Sequence, residues 1–158
     1  MTQFETLYKR FLLRVEQYSF YDKEIDVREL ILRSYLDQAC YRFAPYCKDV
    51  NLFDIDEENQ RFNFELSPQV IYILVENMAV AWLKTQRDSE ENTKNMLSEK
   101  DYSVFSPANL LTSLRRAYTE ADKEIIGIMN DYSLDDLDTK KLMNEVLYNE
   151  WSSNWTSY

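Results

Sequence analysis

Residues 67–84 read SPQVIYILVENMAVAWLK, and this stretch decides the fold. Ser67 followed by Pro68 is a helix start: a serine hydroxyl caps the free N–H groups, and proline fits the first helical position. Val70, Ile71, Ile73, Leu74, Val75, Met78, Ala79, Ala81, Trp82 and Leu83 then fall on most sides of the helix. A helix that is apolar nearly all round belongs at the centre of a core. Ala79 and Ala81 leave room for neighbours to come close. Glu76 and Asn77 interrupt the run, which is shorter than the roughly 20 residues needed to span a bilayer.

Working outward, a small helical bundle assembles around that rod. On the N-terminal side, Phe4, Leu7, Phe11, Val15 and Tyr18 recur at threes and fours and predict a helix over 2–18. A second helix is expected over 27–44. Asp26 and Glu29 stand at capping-box spacing. Leu30, Ile31, Ser34, Tyr35, Ala39 and Phe43 would face one way, and Pro45 would end the helix. Residues 50–66 change character: Leu52, Phe53 and Ile55 lead into DEEN, after which Phe62, Phe64 and Leu66 alternate with polar residues. That pattern predicts either a short β-hairpin over a four-residue turn or an extended loop.

On the C-terminal side, TQRDSEENTKN continues as partly helical, with Ser89 as a cap for 90–97. Ser106-Pro107 repeats the helix-start signal and predicts a long helix to about 131. Its stripe is Leu110, Leu111, Leu114, Ala117, Tyr118, Ala121, Ile125, Ile128 and Met129, with Ile126 partly outside. The chain's single glycine, Gly127, lies inside this helix and marks either close packing or a hinge. The expected fold is therefore mostly α: four to five helices, the possible hairpin, and an extended or helical C-terminal arm. The expected division is a body over 1–131 and an arm over 132–158.

Composition supports helices and narrows the chemistry. One glycine and three prolines in 158 residues are too few for the tight turns of a sandwich or barrel. Without histidine there is no usual nucleophilic triad and no Cys–His pair, and one glycine cannot make a phosphate-binding loop. Catalytic acid–base work by the adjacent carboxylates is disfavoured, because Glu57-Glu58, Glu90-Glu91 and Asp135-Asp136 read as solvated surface. The DIDEEN stretch, 54–59, lacks the glycine of an EF-hand loop and reads as a turn. No enzyme, cofactor or metal is expected. Cys40 and Cys47, seven apart, would lie about 10 Å apart along one helix, too far for a disulfide, and read as small buried hydrophobes. The net charge of −10 disfavours wrapping nucleic acid, which requires clustered Lys and Arg.

Two regions look like contact surfaces. The loop KDYSVFSP, 100–107, places Tyr102 and Phe105 in a polar connection, where they either tuck onto their own helices or meet another chain. Arg115-Arg116 just beyond is either a solvated helix face or a pair that meets acids of a neighbour. After four aspartates (131, 135, 136 and 138), Leu147, Trp151 and Trp155 repeat every fourth residue. Tryptophans this far along a chain tend to find a partner rather than finish the core.

The stretch 74–116, LVENMAVAWLKTQRDSEENTKNMLSEKDYSVFSPANLLTSLRR, resembles the central part of tailed-bacteriophage head–tail connector proteins, the adaptor or neck proteins that form a ring beneath the portal. The matching features are Trp82-Leu83-Lys84, Lys100-Asp101-Tyr102 and Ser106-Pro107-Ala108-Asn109, preceded by the lead-in RFNFELSPQVIYIL at 61–74. The resemblance covers roughly 26–125; the N-terminal helix matches weakly and the residues after 132 match nothing. It implies a structural virion protein without enzymatic activity, found at the head–tail interface and in the host cytoplasm before assembly. It implies a homo-oligomeric ring of roughly twelve copies that joins the portal protein to the next neck or tail-completion protein and lets DNA pass without specific binding. Leu142, Leu147, Trp151, Trp155 and Tyr158 become the portal-binding arm, and Tyr102, Phe105, Arg115 and Arg116 the inter-subunit contact. The alternative is an acidic helical module that mimics DNA and sequesters a basic host protein. The mixing of signs disfavours it: 1–66 holds thirteen acids and nine bases, 67–130 nine and seven, and 131–158 six and two.

Overall fold

The computed structural model describes residues 1–15, 24–99, 101–102 and 109–135. These form a mostly helical bundle with one small hairpin: α1 Phe4–Val15, α2 Ile25–Phe43, β1 Ile55–Asp56, β2 Arg61–Phe62, α3 Pro68–Met96 and α4 Leu110–Leu134.

As the apolar run at 70–83 predicts, α3 is the central rod. Ser67 accepts a hydrogen bond from the Val70 N–H at 3.2 Å, and Pro68 opens the helix. Ten of its residues between Val70 and Ala81 are buried, on all sides, because α1, α2 and α4 each pack against it. Phe4, Leu7 and Phe11 of α1 enter this core, as do Ile125 and Met129 of α4. The core also holds Phe43, whose ring meets Tyr132 edge-on at 5.2 Å.

The hairpin is present, although its turn is Glu57–Gln60, one residue later than the DEEN reading. Ile55 pairs with Phe62 and Asp56 with Arg61. Two-residue strands are marginal alone, and the N-terminus supports these. Thr2 N–H donates to the Phe64 carbonyl, Phe62 N–H donates to the Thr2 carbonyl, and Phe4 N–H donates to the Gln60 carbonyl, each at 2.9 Å. The buried Thr2 hydroxyl accepts from the Leu66 N–H at 2.8 Å. Asp54 and Asp56 serve the turn: Asn63 Nδ2 donates to Asp54 at 2.6 Å, and Asn59 Nδ2 donates to Asp56 at 2.7 Å. The Asn59 bonds, followed by Arg61, hold the Asp56 carboxyl below its usual range. Among the described residues no group of three or more His, Cys, Asp or Glu side chains is arranged to hold a metal.

Several expectations are corrected. α2 begins at Ile25 after Glu24, which makes no side-chain cap hydrogen bond, so the Asp26–Glu29 capping box does not start the helix. Its inward face is rotated: Leu32, Leu36 and Cys40 are buried with Tyr35, Ala39 and Phe43, whereas Leu30 is 71% exposed and Ser34 also faces out. Both stripes satisfy helical spacing, and the packing of α3 selects between them. α2 ends at Phe43, so Cys40 and Cys47 do not share a helix; both are free, Cys40 buried and Cys47 half-buried. α3 runs unbroken to Met96, and Ser89 is a mid-helix residue whose carbonyl accepts from the Thr93 hydroxyl at 3.0 Å. α4 opens at Leu110 behind Asn109, whose φ of 70° places it in the left-handed region. Ser106-Pro107 is therefore not its N-terminus. α4 continues to Leu134 rather than stopping at 131. A Cβ on Gly127 would meet nothing within 4 Å, which removes close packing as the reason for that glycine.

Candidate functional site

Two features stand out on this frame: a helical hairpin that extends past the core and a cleft at its base. No residue of α3 beyond Ala81 is buried, yet the helix continues through Met96. The residues from 82 to 96 add about 22 Å of helix. The first half of α4 runs alongside, with Leu111 its one buried residue before Ile125.

Polar and aromatic contacts join the two arms where the apolar core has thinned. The Arg87 guanidinium lies over the Tyr118 ring, 4.4 Å from its centroid. Arg115 Nε donates to Glu91 at 2.8 Å. Tyr102 Oη donates to Glu90 at 2.8 Å, and its ring is half-buried. Two of the residues anticipated as an inter-subunit contact, Tyr102 and Arg115, are thus brought onto adjacent positions of α3. Arg116 is not brought in; it is 79% exposed and pairs along its own helix with Glu120 at 2.8 Å. Phe105 and the arm residues Leu142, Leu147, Trp151, Trp155 and Tyr158 lie outside the described residues.

The cleft of about 500 Å³ lies between α2, α3 and α4 at the hairpin's base. Val80 and Ala81 form its apolar floor, with Tyr41 and Tyr118 beside it. The Arg42–Asp122 ion pair closes one side at 2.5 Å, and Lys84, which has no ion-pair partner among the described residues, stands at the rim. Asn77 also lines it and is 1% exposed. Its Nδ2 donates to the Ile73 carbonyl at 2.9 Å and contacts Met129 Sδ at 3.4 Å. Only the amide nitrogen can serve a carbonyl, so the orientation is set and Oδ1 faces the other way. That oxygen is buried without a partner. An unpaired buried acceptor costs about 1–3 kcal/mol, which a leucine in its place would not incur.

Sequence reasoning passed over Asn77, treating it as an interruption in an apolar run. Its signal was its phase: Asn77 lies one turn from Ile73 and Ala81, on a face that is apolar elsewhere. Lys84 was noted only within a motif, and nothing local marked Tyr41.

Elsewhere, burial pushes the Cys40 thiol and the Tyr8 phenol up to about 12. Burial and the Asp49 hydrogen bond also raise Tyr132. No helix among the described residues is long and apolar enough to cross a membrane. Comparison with protein-family models, with curated proteins and with solved structures finds no match.

Proposed function

We propose that this protein is a structural subunit of a tailed-phage head–tail connector, repeated in a ring beneath the portal, with no enzymatic role of its own. The supporting observation is the hairpin formed by α3 beyond Ala81 and the first half of α4. It carries long helical surface but few buried residues, which suits contact with a neighbouring copy. Of the stretch that resembles the connectors, 74–116, residues 82–96 and 110–116 belong to this hairpin. In the ring, the hairpins meet neighbours, the arm at 132–158 meets the portal, and the body meets the next neck protein. Weak contacts repeated around the ring add through effective concentration. The net charge of −10 suits a channel wall that repels passing DNA. Sequestration of a basic host protein is less well supported, because Glu76, Glu91, Glu57 and Asp122 are already paired with arginines of this chain.

The deciding experiment mixes the purified protein with an intact cognate portal and images the mixture by electron microscopy. A ring of added density below the portal is expected. A bare portal, with both components folded, overturns the proposal and turns attention to a pull-down for a basic host partner.

A further inference from the structure

α2 carries two stripes at helical spacing, and the chain covers one of them. Leu32, Tyr35, Leu36, Ala39, Cys40 and Phe43 are buried in the core. On the opposite side, Val27, Leu30, Ser34, Gln38 and Tyr41 fall within an arc of about 80°, at about 100° per residue. All five are exposed, Leu30 and Tyr41 each at 71%. The Phe53 ring packs on Tyr41, with centroids 5.0 Å apart, and widens the apolar surface at that end. A helix with apolar residues on opposite sides is buried on both in its finished setting. We propose that the outer stripe of α2 packs antiparallel against the same stripe of a second copy, about a two-fold axis through Ser34.

Three observations select a second copy. The first is register. The spacings along the stripe, 3, 4, 4 and 3, read the same in both directions. A two-fold contact is self-complementary: if residue i meets residue j, then j meets i. An axis through Ser34 therefore sets Val27 opposite Tyr41 and Leu30 opposite Gln38, each twice. The smallest side chain of the stripe then lies at the axis, where the two helices come closest. The second is polarity. No stripe residue is charged, and its two polar members satisfy each other: Gln38 Nε2 donates to the Ser34 carbonyl at 3.3 Å and to its hydroxyl at 3.4 Å. A strongly charged partner finds no counter-charge there. The third is the charge beside the stripe. Arg33 and Asp37 form an ion pair at 2.9 Å on one flank. The two-fold lays this flank against itself and sets Asp37 level with residue 31 of the second copy, about 3 Å along the axis from that copy's Arg33. The flanks thus meet as two neutral pairs with opposite charges adjacent.

From Val27 to Tyr41 the stripe is about 21 Å long. One helix face of that length offers on the order of a few hundred Å², less than the roughly 800 Å² per partner of a standard interface. The dimer is therefore weak and depends on concentration. This inference does not rest on the connector reading. A two-fold contact closes on itself, whereas the copies of a ring meet head to tail, and the test needs no portal. The two proposals fail separately.

Sedimentation equilibrium of the full chain, from micromolar to near-millimolar loading, should show monomer and dimer in exchange. Leu30→Lys enters such a contact twice and should weaken the dimer by at least about tenfold. Helical circular dichroism should be kept, because Leu30 is exposed in the single chain. Cysteine cross-linking gives a second reading. A residue on a two-fold axis meets its own copy, so mild oxidation of Ser34→Cys should link the dimer. Ser113→Cys, exposed on α4, should not, and the parent, with Cys40 buried and Cys47 half-buried, sets the baseline. A monomer at every loading overturns the proposal and leaves the stripe to a different chain. So does a dimer that Leu30→Lys leaves unchanged, which would place the contact elsewhere. So does Leu30→Cys linking more readily than Ser34→Cys, which would mean a parallel pair.

Discussion

The two ends of α3 are built differently. From Val70 to Ala81 the helix is enclosed by α1, α2 and α4 and held by close-packed apolar side chains. From Trp82 to Met96 no residue is buried; a guanidinium over a ring and an arginine–glutamate pair tie this part to α4, and Tyr102, ahead of α4, bonds to Glu90. One continuous helix thus passes from a segment stabilised by burial to one stabilised by individually weak surface contacts. Burial of a large side chain contributes several kcal/mol, whereas exposed ion pairs contribute about 0–1 kcal/mol each. The first segment specifies the fold.

The sharpest way to break this contrast is to remove a ring from each end. Phe43→Ala empties a fully buried site and should cost about 3–5 kcal/mol in urea unfolding. Tyr118→Ala at the hairpin should cost on the order of 1 kcal/mol, since it removes a half-buried ring and one cation–π contact. Equal losses would mean that the hairpin is as much a part of the cooperative core as Phe43. Native-state hydrogen exchange should agree, with amides at 73–81 exchanging only through global opening and those at 86–96 through local opening.

Alkaline titration probes the enclosed end alone. Cys40 and Tyr8 both titrate higher when folded than their ordinary values of 9.0 and 10.0, each reaching about 12 through burial. Deprotonation therefore favours unfolding. Their contribution is complete below about pH 9 and is lost as pH rises towards 12. At pH 8, a thiol reagent should label the half-buried Cys47 well before Cys40.

Smaller effects sharpen the comparison further. Gly127→Ala should stabilise the chain by up to about 1 kcal/mol, because the position is exposed, helical and open around its Cα. The coupling between Arg115 and Glu91, measured by a double-mutant cycle, should be below about 1 kcal/mol and should shrink with salt, since Arg115 is 58% exposed.

What could be read in advance follows from how local the cause is. The start of α3 was legible because Ser67 and Pro68 act on the three residues beside them. The hairpin was legible in kind because Phe62 and Leu66 alternate with polar residues, but not in register, since its pairing depends on Thr2, sixty residues away in sequence. Spacing alone does not choose the face of α2, because Leu30 and Leu32 are equally apolar and only the position of α3 distinguishes them. The Ser-Pro signal predicts an earlier start for α4 than the one set by Asn109, a residue type that tolerates the left-handed region. Of the candidate site, Tyr102 and Arg115 were legible as residues, but their shared anchorage at Glu90 and Glu91 was not. The cleft draws on three helices, and only Asn77, polar on an otherwise apolar face of α3, marks it in the sequence.

The clamp between the N-terminus and the hairpin also has a consequence during synthesis. Thr2 leaves the ribosome about sixty residues before the groups it binds, which belong to Phe62, Phe64 and Leu66. At about 5–20 residues per second, several seconds separate the two. For that interval the residues around Thr2 are an unpaired strand followed by the apolar face of α1, with α3 still unmade. A cotranslational chaperone would find exposed apolar surface on α1 until the hairpin and α3 follow.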